Sequence, residues 1–260
     1  VWGGRALAGV FGRVLPEGGP IGESWELVDR EEANSRLAGP EEGPTIGDLR
    51  RTDPEGLMGP GWPAERPFPI LVKLLDCAER LSLQVHPPEA VARRLGGEPK
   101  TENWYILEAQ PGAALLAGLQ PGVDRGQFLE ALQREQLEPL VRRMPSSPGD
   151  SLFVRSGWIH AIDGGNLILE IQQNSDTTYR VYDWGRVGLD GRPRQLHIEE
   201  SMESIDFSTD QPELLHPEGP ESLLADCPAF RLRCLELPAG AELSFAAEQE
   251  PRILSLASGQ

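Results

Sequence analysis

The hydrophobic positions of the chain fall mostly in short runs that Gly and Pro residues interrupt, which is typical of strands joined by turns. Apolar runs over 68–75, 81–86 and 100–107 predict three strands in the first half of the chain. The first run contains one charged residue, Lys73, and still has the composition of a buried strand. This pattern favours a mainly β protein.

The segment 149–186 continues the pattern and adds a histidine. An apolar strand, a bend at Gly157 and a Gly-Gly turn precede a second strand that begins at Leu167. This order predicts a β-hairpin with His160 near its bend.

The second strand of this segment has two chemically different faces, because successive side chains of a strand point to opposite sides. Its apolar face carries Leu167, Leu169 and Ile171. If the alternation continues past the turn at 174–176, the other face carries Glu170, Gln172, Thr178, Arg180 and Tyr182. The polar face is therefore equipped for binding or catalysis.

Two helices are predicted beside the strands. Residues 88–95 predict a short helix that ends at Gly96. Residues 124–144 are the best helical segment, with Asp124 as its N-cap. Their apolar side chains approximate one stripe, which predicts core packing: Phe128, Leu129, Leu132, Leu137, Leu140, Val141 and Met144.

Composition and charge narrow the classes of function. The chain has 260 residues, with 41 acidic against 24 basic residues and a formal net charge of −17. This balance argues against nucleic acid or an anionic membrane as a partner. A site for an anionic substrate would have to keep its cations close to that substrate.

Cysteine usage and hydropathy predict the compartment. Cys77, Cys227 and Cys234 form no C-x-x-C pair, and an odd, sparse count favours a reducing environment. The sequence shows no apolar run long enough to span a bilayer. We therefore expect a cytoplasmic protein with a small-molecule partner, and the sequence leaves the oligomeric state open, with a monomer compatible.

The histidine of the predicted hairpin lies in a metal-binding motif. The spacing from Gly149 through Gly157 to His160 follows the second motif of the cupin barrels, with Arg155 where that motif prefers proline. In a cupin barrel this histidine is a metal ligand. The resemblance implies that His160 binds an ion.

Further ligand candidates lie on the predicted strands. Gln84 and His86 are two residues apart, so their side chains project to the same side of a strand. Lys100 and Glu102 have the same spacing, which places one cation beside one carboxylate. Together with His160, these residues offer four nitrogen and oxygen ligands for one ion.

Several segments of the chain, in this order, resemble the type I mannose-6-phosphate isomerases, in particular their short bacterial form. They are VWGGRAL and IGESWEL near the start, LSLQVHP, KTENWYIL, the cupin motif described above, and LEIQQNSDTTYRVYDWGR. The resemblance covers most of residues 1–200, and QNSDTTYR is its most specific part.

The resemblance implies a mainly β fold, a cupin (jelly-roll-like) β-barrel with a small helical insertion and a second, incomplete C-terminal β-barrel. We expect a catalytic cupin domain at 1–209, including the helical segment 124–144. A Pro- and Glu-rich linker at 210–221 would lead to the start of the second barrel at 222–260. A strand-like run at 252–256 would belong to that barrel.

The resemblance also implies a reaction and a cofactor. Members of this family interconvert mannose 6-phosphate and fructose 6-phosphate through a cis-enediol at a zinc site. The implied zinc ligands are Gln84, His86, Glu102 and His160. Zinc held there would bind or order the sugar hydroxyls and polarise the carbonyl group as a Lewis acid.

Five further residues receive roles from the resemblance and from the alternation of the strands. Arg180, permanently protonated, would stabilise the enediolate. Lys100 and Glu170 would line the same cavity, with Glu170 a candidate for proton transfer or ring opening. Ser82 and Arg186 align with positions that hold the phosphate. The sequence does not identify the catalytic base.

Two alternative functions stay open. One is a different metal-dependent cupin enzyme, either an isomerase of another sugar phosphate or an oxygenase; a ligand set with Gln and Glu and without an H-x-H pair disfavours an iron oxygenase. The other is a non-catalytic sugar-phosphate-binding cupin. Such a protein would be expected to lose Arg180 or Lys100, and both are present.

The two remaining histidines, His197 and His216, have no partner at an informative spacing. We predict that both are surface residues.

Overall fold

The computed structural model describes residues 2–39, 43–188, 190–208, 210–245 and 251–259. Strands dominate these residues, as the sequence predicts. They are β1 (Glu23–Leu27), β2 (Ile70–Cys77), β3 (Leu83–Val85), β4 (Glu102–Ala109), β5 (Ala114–Leu119), β6 (Val141–Pro145), β7 (Ser151–Val154), β8 (His160–Ile162), β9 (Asn166–Gln173), β10 (Tyr179–Tyr182), β11 (Leu214–Leu215), β12 (Glu221–Asp226) and β13 (Arg231–Leu235).

Short helices lie between the strands. They are α1 (Ala6–Phe11), α2 (Ile46–Thr52), α3 (Pro54–Met58), α4 (Glu89–Leu95), α5 (Arg125–Gln133) and α6 (Ile198–Ser204), with a 3₁₀ turn at Glu138–Leu140. Gly96 ends α4 with φ of 72°, which confirms the predicted stop. Within the described ranges, no helix combines the length and the apolar composition needed to cross a bilayer.

Two antiparallel sheets face each other, the arrangement of a jelly-roll barrel. The six-stranded sheet has the order β1-β2-β9-β4-β7-β11, and the five-stranded sheet has the order β10-β3-β8-β5-β6. The strands β12 and β13 pair separately. Because every residue of β2 is buried, both faces of the six-stranded sheet are covered at that strand.

The core has an inner layer between the sheets and outer layers under the helices. Trp104 and Ile162, from opposite sheets, belong to one inner cluster. Phe128 of α5 and Met202 of α6 cover the outer face of the five-stranded sheet. Residues of α1, α2 and α3 cover the outer face of the six-stranded sheet.

The predicted helix 124–144 is correct at its start and wrong from residue 134 onward. Asp124 caps α5 and forms a capping box with Gln127. Helix α5 ends at Gln133, and Glu135 adopts φ of 56°. The later apolar residues of the stripe belong to the 3₁₀ turn and to β6, which pairs with β5. Strand pairing outweighs the helical spacing there.

The predicted hairpin in 149–186 is also wrong in its pairing. Strands β7 and β9 do not pair with each other, because β4 lies between them. Strand β8, which begins at His160, crosses to the five-stranded sheet and pairs with β3 and β5. The bend at Gly157, with φ of 93°, permits this crossing, since positive φ favours glycine.

The C-terminal part is described only in segments. Within the predicted linker 210–221, β11 adds a sixth strand beside β7. The predicted strand at 252–256 is wrong, because these residues have no regular structure and Leu254 and Leu256 are exposed. Residues 209, 246–250 and 260 of the predicted domains lie outside the described residues. The domain boundaries and the second barrel stay predictions.

Candidate active site

The five-stranded sheet aligns three of the predicted site residues. Arg180 of β10 lies opposite Gln84 of β3, and Gln84 lies opposite His160 of β8. Directly opposite residues of antiparallel strands project to the same face. The side chains of Arg180, Gln84 and His160 therefore form a row on one face of this sheet.

The six-stranded sheet supplies the facing row. Glu102 of β4 lies opposite Gln172 of β9, and Trp104 lies opposite Glu170. Leu169 packs against the outer clusters, so the predicted division of β9 into an apolar and a polar face is confirmed. Because β10 belongs to the other sheet, the alternation of β9 does not continue into it.

Backbone carbonyl groups fix the orientation of the two histidines. Nδ1 of His86 donates to the carbonyl oxygen of Thr177 over 2.9 Å, and Nδ1 of His160 donates to that of Trp158 over 2.8 Å. A carbonyl oxygen only accepts, so Nδ1 carries the hydrogen in both rings. In the neutral rings, Nε2 presents a lone pair.

Burial keeps both imidazoles neutral. It lowers the pKa of His86 to about 3, with the Lys100 ammonium as the next cause. It also lowers the pKa of His160. Burial opposes ionisation of Glu102, but the ammonium of Lys100 outweighs it and holds the pKa of this carboxyl well below its usual value. The centre thus contains two neutral rings and one carboxylate.

Three acceptors meet at this centre. Nε2 of His86 lies 3.4 Å from Oε2 of Glu102, and Nε2 of His160 lies 3.4 Å from Oε1 of Glu102. One possible ligand atom from each of His86, Glu102 and His160 lies within 4.8 Å of the others, and all three residues are buried. Nε2 of His86 and both oxygens of Glu102 have no hydrogen-bond donor. Lone pairs that face one another repel, and a cation among them would remove the conflict.

This donor set fits a metal ion. Two imidazole nitrogens and a carboxylate are common zinc ligands, and carbonyl partners on the distal ring nitrogens are the usual means of orienting ligating histidines. Gln84 is oriented differently, since its amide nitrogen lies 3.3 Å from Nε2 of His160. Ligation by Gln84 through oxygen requires its carboxamide to turn over.

Lys100 and Glu170 extend the centre on one side. Nζ of Lys100 lies 2.7 Å from Oε2 of Glu102, outside hydrogen-bond geometry, and 3.7 Å from Oε1 of Glu170. Burial would lower the pKa of Lys100, but the two carboxylates outweigh it and raise this pKa. Burial raises the pKa of Glu170, whose Oε2 accepts from Nε1 of Trp104 over 3.0 Å.

The predicted phosphate residues lie on the side of Arg180. Nε of Arg180 donates to Oγ of Ser82 over 3.3 Å, and its terminal nitrogen donates to the carbonyl of Gln195 over 2.9 Å. Arg186 binds the carboxylate of Asp183 over 2.7 Å and the carbonyl of Arg80. Ser82 and Arg180 are thus in contact, while Arg186 is held on the loop that follows β10.

The sequence analysis missed Lys73 as a residue of this site. Lys73 is buried and lies opposite Glu170 on β2. Its Nζ lies 3.5 Å from Oε2 of Glu23 and 4.7 Å from the centre of the Trp25 ring. A lysine in an otherwise apolar strand could have indicated this, because a buried charge requires charged or polar partners.

Gln172 was assigned to the polar face without a role. It is fully buried opposite Glu102, and its amide group donates to the carbonyls of Gln173 and Ser175. Its Oε1 has no partner. Gln172 therefore offers one more buried acceptor, and single-sequence reasoning gave no signal for that role.

The two other histidines differ from each other. His216 is exposed and its Nδ1 lies 2.6 Å from Oδ1 of Asp150, which confirms a surface position. His197 is only half-exposed, and its Nδ1 accepts from the backbone N–H of Arg180 over 3.2 Å. His197 is thus a partly exposed residue that also contacts β10, since its backbone N–H donates to the carbonyl of Arg180.

No family model matches the chain. The similar proteins that were found share one name. The chain is 36% identical over 262 aligned positions to the mannose-6-phosphate isomerase ManA of Bacillus subtilis, with 98% of this chain and 80% of ManA covered. It is 40% identical to the probable mannose-6-phosphate isomerase GmuF of the same organism over 208 residues, 79% of this chain. The chain spans 64% of the length of GmuF, which is less than two thirds.

Solved structures agree with these relatives. The crystal structure of the mannose 6-phosphate isomerase from Bacillus subtilis superposes with a TM-score of 0.72 at 32% identity, covering 92% of this chain and 73% of that one. A putative mannosephosphate isomerase from Archaeoglobus fulgidus gives a TM-score of 0.63 at 25% identity, covering 79% and 63%.

Proposed function

The chain belongs to the type I mannose-6-phosphate isomerases, and on that premise we propose that it interconverts mannose 6-phosphate and fructose 6-phosphate. The proposal depends on one observation above all: Nε2 of His86 and both oxygens of Glu102 are buried, face one another without a hydrogen-bond partner and lie beside Nε2 of His160. Burying such unpaired acceptors is costly unless a cation binds among them, and the ammonium of Lys100, which lies beside one oxygen of Glu102, leaves Nε2 of His86 unpaired.

The proposed ligands are His86, Glu102 and His160, with Gln84 as the fourth. When bound, a zinc ion supplies Lewis acidity toward the sugar oxygens. The chain's own contribution is to keep both imidazoles neutral, so that their lone pairs are available. The two sheets also exclude water from the centre, since all three acceptor-bearing side chains are buried.

Isomerisation transfers a proton between neighbouring carbon atoms of the sugar, so a side chain must hold that proton. Glu170 suits this role, because burial raises its pKa towards the pH at which it can both take and return a proton. Trp104 holds one carboxylate oxygen of Glu170 in place. Lys100, whose pKa is raised, supplies a fixed positive charge beside the reacting group.

Arg180 is proposed to stabilise the negative charge that develops on the cis-enediol. Its position in the row with Gln84 and His160 supports this role. Ser82 and Arg186 are proposed to bind the phosphate. The contact of Ser82 with Arg180 and the contact of Arg186 with Asp183 support this proposal, because they hold the three side chains in fixed orientations.

A coupled assay tests the reaction and the cofactor together. Protein treated with a chelator is assayed with mannose 6-phosphate and with fructose 6-phosphate, then assayed again after zinc or magnesium is added. We expect activity to return with zinc and not with magnesium, which prefers oxygen ligands in octahedral geometry. Stoichiometric zinc without turnover of either sugar would contradict the proposal and indicate another sugar phosphate.

A further inference from the structure

The loop after β10 brings two arginines together. Val187 forms a bridge with Pro193, and the backbone N–H of Gly188 donates to the carbonyl of Arg192 over 2.7 Å. This narrow turn places Arg186 and Arg194 side by side at its base.

Both arginines bind one buried carboxylate. Arg194 donates from Nε to Oδ2 of Asp183 over 2.7 Å and from a terminal nitrogen to Oδ1, and Arg186 donates to the same Oδ1 over 2.7 Å. Asp183 is 5% exposed. Burial opposes its ionisation, but the contacts with Arg194 and Arg186 outweigh this and lower its pKa. Asp183 therefore stays charged and fixes the orientation of both guanidinium groups.

A third arginine leaves this cluster with an excess of positive charge. Arg180 binds the uncharged oxygens of Ser82 and Gln195. Because Gln195 directly follows Arg194, this contact brings the guanidinium of Arg180 to the same loop. Burial first, and then the positive charge of Arg194, lower the pKa of Arg180. Three guanidinium groups and one carboxylate sum to two positive charges, in a chain whose net charge is −17.

We propose that Arg194 is a further substrate-binding residue that contacts the phosphate of the sugar together with Arg186, and that Asp183 is the residue that positions both. The inference rests on the proposed function, since it concerns the same substrate. A phosphate monoester carries nearly two negative charges at neutral pH, which matches the excess charge of the cluster.

The geometry suits an anion because guanidinium groups carry donors in a planar fork. The contacts with Asp183 use two of the five N–H groups of Arg194. The remaining donors of a guanidinium group held in this way need no reorientation when the anion arrives, which reduces the entropy cost of binding. Asp183 thus acts as a fixed support rather than as a competitor for the phosphate.

A simpler role for Arg194 is to stabilise the loop conformation through Asp183 without contacting the substrate. The two roles predict different measurements. Titration of the protein with inorganic phosphate, at constant ionic strength and followed by calorimetry, measures the anion site without catalysis. The variants are Arg194→Gln and Arg192→Gln, the latter an exposed arginine of the same turn that changes the net charge equally.

We expect Arg194→Gln to weaken phosphate binding roughly tenfold or more, the effect of one lost charge-assisted hydrogen bond. The KM for mannose 6-phosphate should rise by a similar factor, with kcat changed by less than about twofold. Arg192→Gln should change phosphate affinity by less than about twofold, because an exposed charge is screened. Arg194→Lys, which retains the charge and one contact, should give an intermediate result.

Two outcomes would overturn the inference. Equal losses of phosphate affinity in both glutamine variants would indicate a long-range effect of charge alone. If Arg194→Gln and Arg194→Lys lower the melting temperature but leave the phosphate affinity unchanged, Arg194 only stabilises the loop. Phosphate binding that depends on Arg194, in a protein that does not isomerise mannose 6-phosphate, would support this inference and contradict the proposed reaction.

Discussion

The candidate metal centre (His86, Glu102 and His160) and the arginine cluster (Arg180, Arg186 and Arg194 around Asp183) are opposite in almost every property. The centre around Glu102 is fully buried, lies on paired strands and presents acceptors that face one another. The cluster around Asp183 is partly exposed, lies mostly on a loop and presents donors. The first gathers a carboxylate and two neutral rings beside the ammonium of Lys100, and the second carries surplus positive charge.

This contrast indicates that a sugar phosphate would be bound by two different kinds of interaction. At the strands, binding would depend on the ion and on a geometry that the sheet register fixes. At the loop, binding would depend on charge and on a positioned fork of donors. Lys100 and Glu170 lie at the first location, so we expect the chemistry to depend on the strands and the affinity to depend on the loop.

The largest expected effect is from His160→Ala. The variant should lose its metal and at least about 10³-fold in activity, since a catalytic metal ion supplies several kcal/mol of transition-state stabilisation. Metal content by elemental analysis, together with the coupled assay, checks this. His216→Ala, an exposed histidine, is the matched control and should keep both properties. Full metal content in His160→Ala would remove His160 from the ligand set.

The next largest effect is expected at Arg180, which lies between the two regions. Arg180→Ala should lower kcat by roughly 10²–10³-fold, the cost of removing one group that stabilises an oxyanion. The KM should change far less. Steady-state kinetics with mannose 6-phosphate measures both, and a change confined to KM would assign Arg180 to the phosphate-binding cluster.

A third prediction concerns the metal-free centre. Because the pKa of His86 falls from 6.5 to about 3 on folding, the unfolded chain binds a proton between these pH values that the folded protein does not. Stability therefore decreases as the pH falls through this window. We expect a loss of roughly 2 kcal/mol between pH 6.5 and 5 from this residue.

Urea unfolding of chelator-treated protein at several pH values measures this loss. The lowered pKa of His160 acts in the same direction. His86→Asn, which removes the group that titrates, should show a smaller pH dependence. Equal pH dependence in the two proteins would show that His86 is not the source.

The smallest expected effect is from Ser82→Ala. Oγ of Ser82 accepts from Arg180 and is proposed to contact the phosphate, so its removal costs one hydrogen bond to a charged group, about 1.5 kcal/mol. The KM should rise by up to roughly tenfold, with kcat nearly unchanged. A larger decrease in kcat than in affinity would mean that Ser82 acts by orienting Arg180 and not by binding the phosphate.

Strand alternation allowed much of the centre to be predicted. The spacing of Gln84 and His86, and the polar face that carries Glu170, depend only on the period of two that every strand imposes. The resemblance added His160 and Glu102 as ligands. The structure brings His86, Glu102 and His160 together, and their role as ligands stays a proposal.

The parts that sequence reasoning missed depend on long-range pairing. Neither the position of β4 between β7 and β9 nor the pairing of 141–145 with β5 is encoded in a local pattern. Arg194 meets Asp183 only because a turn closes at 187–193. A basic residue in a charged turn gives no local sign of such a contact.

The three facing acceptors come from residues 86, 102 and 160, which two separate sheets bring together. No part of the chain that ends before His160 can assemble the centre. During synthesis, the chain must therefore extend past β8, and both sheets must close, before these three side chains can meet. Uptake of the proposed ion would then be a late event in folding, and it would report that the strands have paired in the correct register.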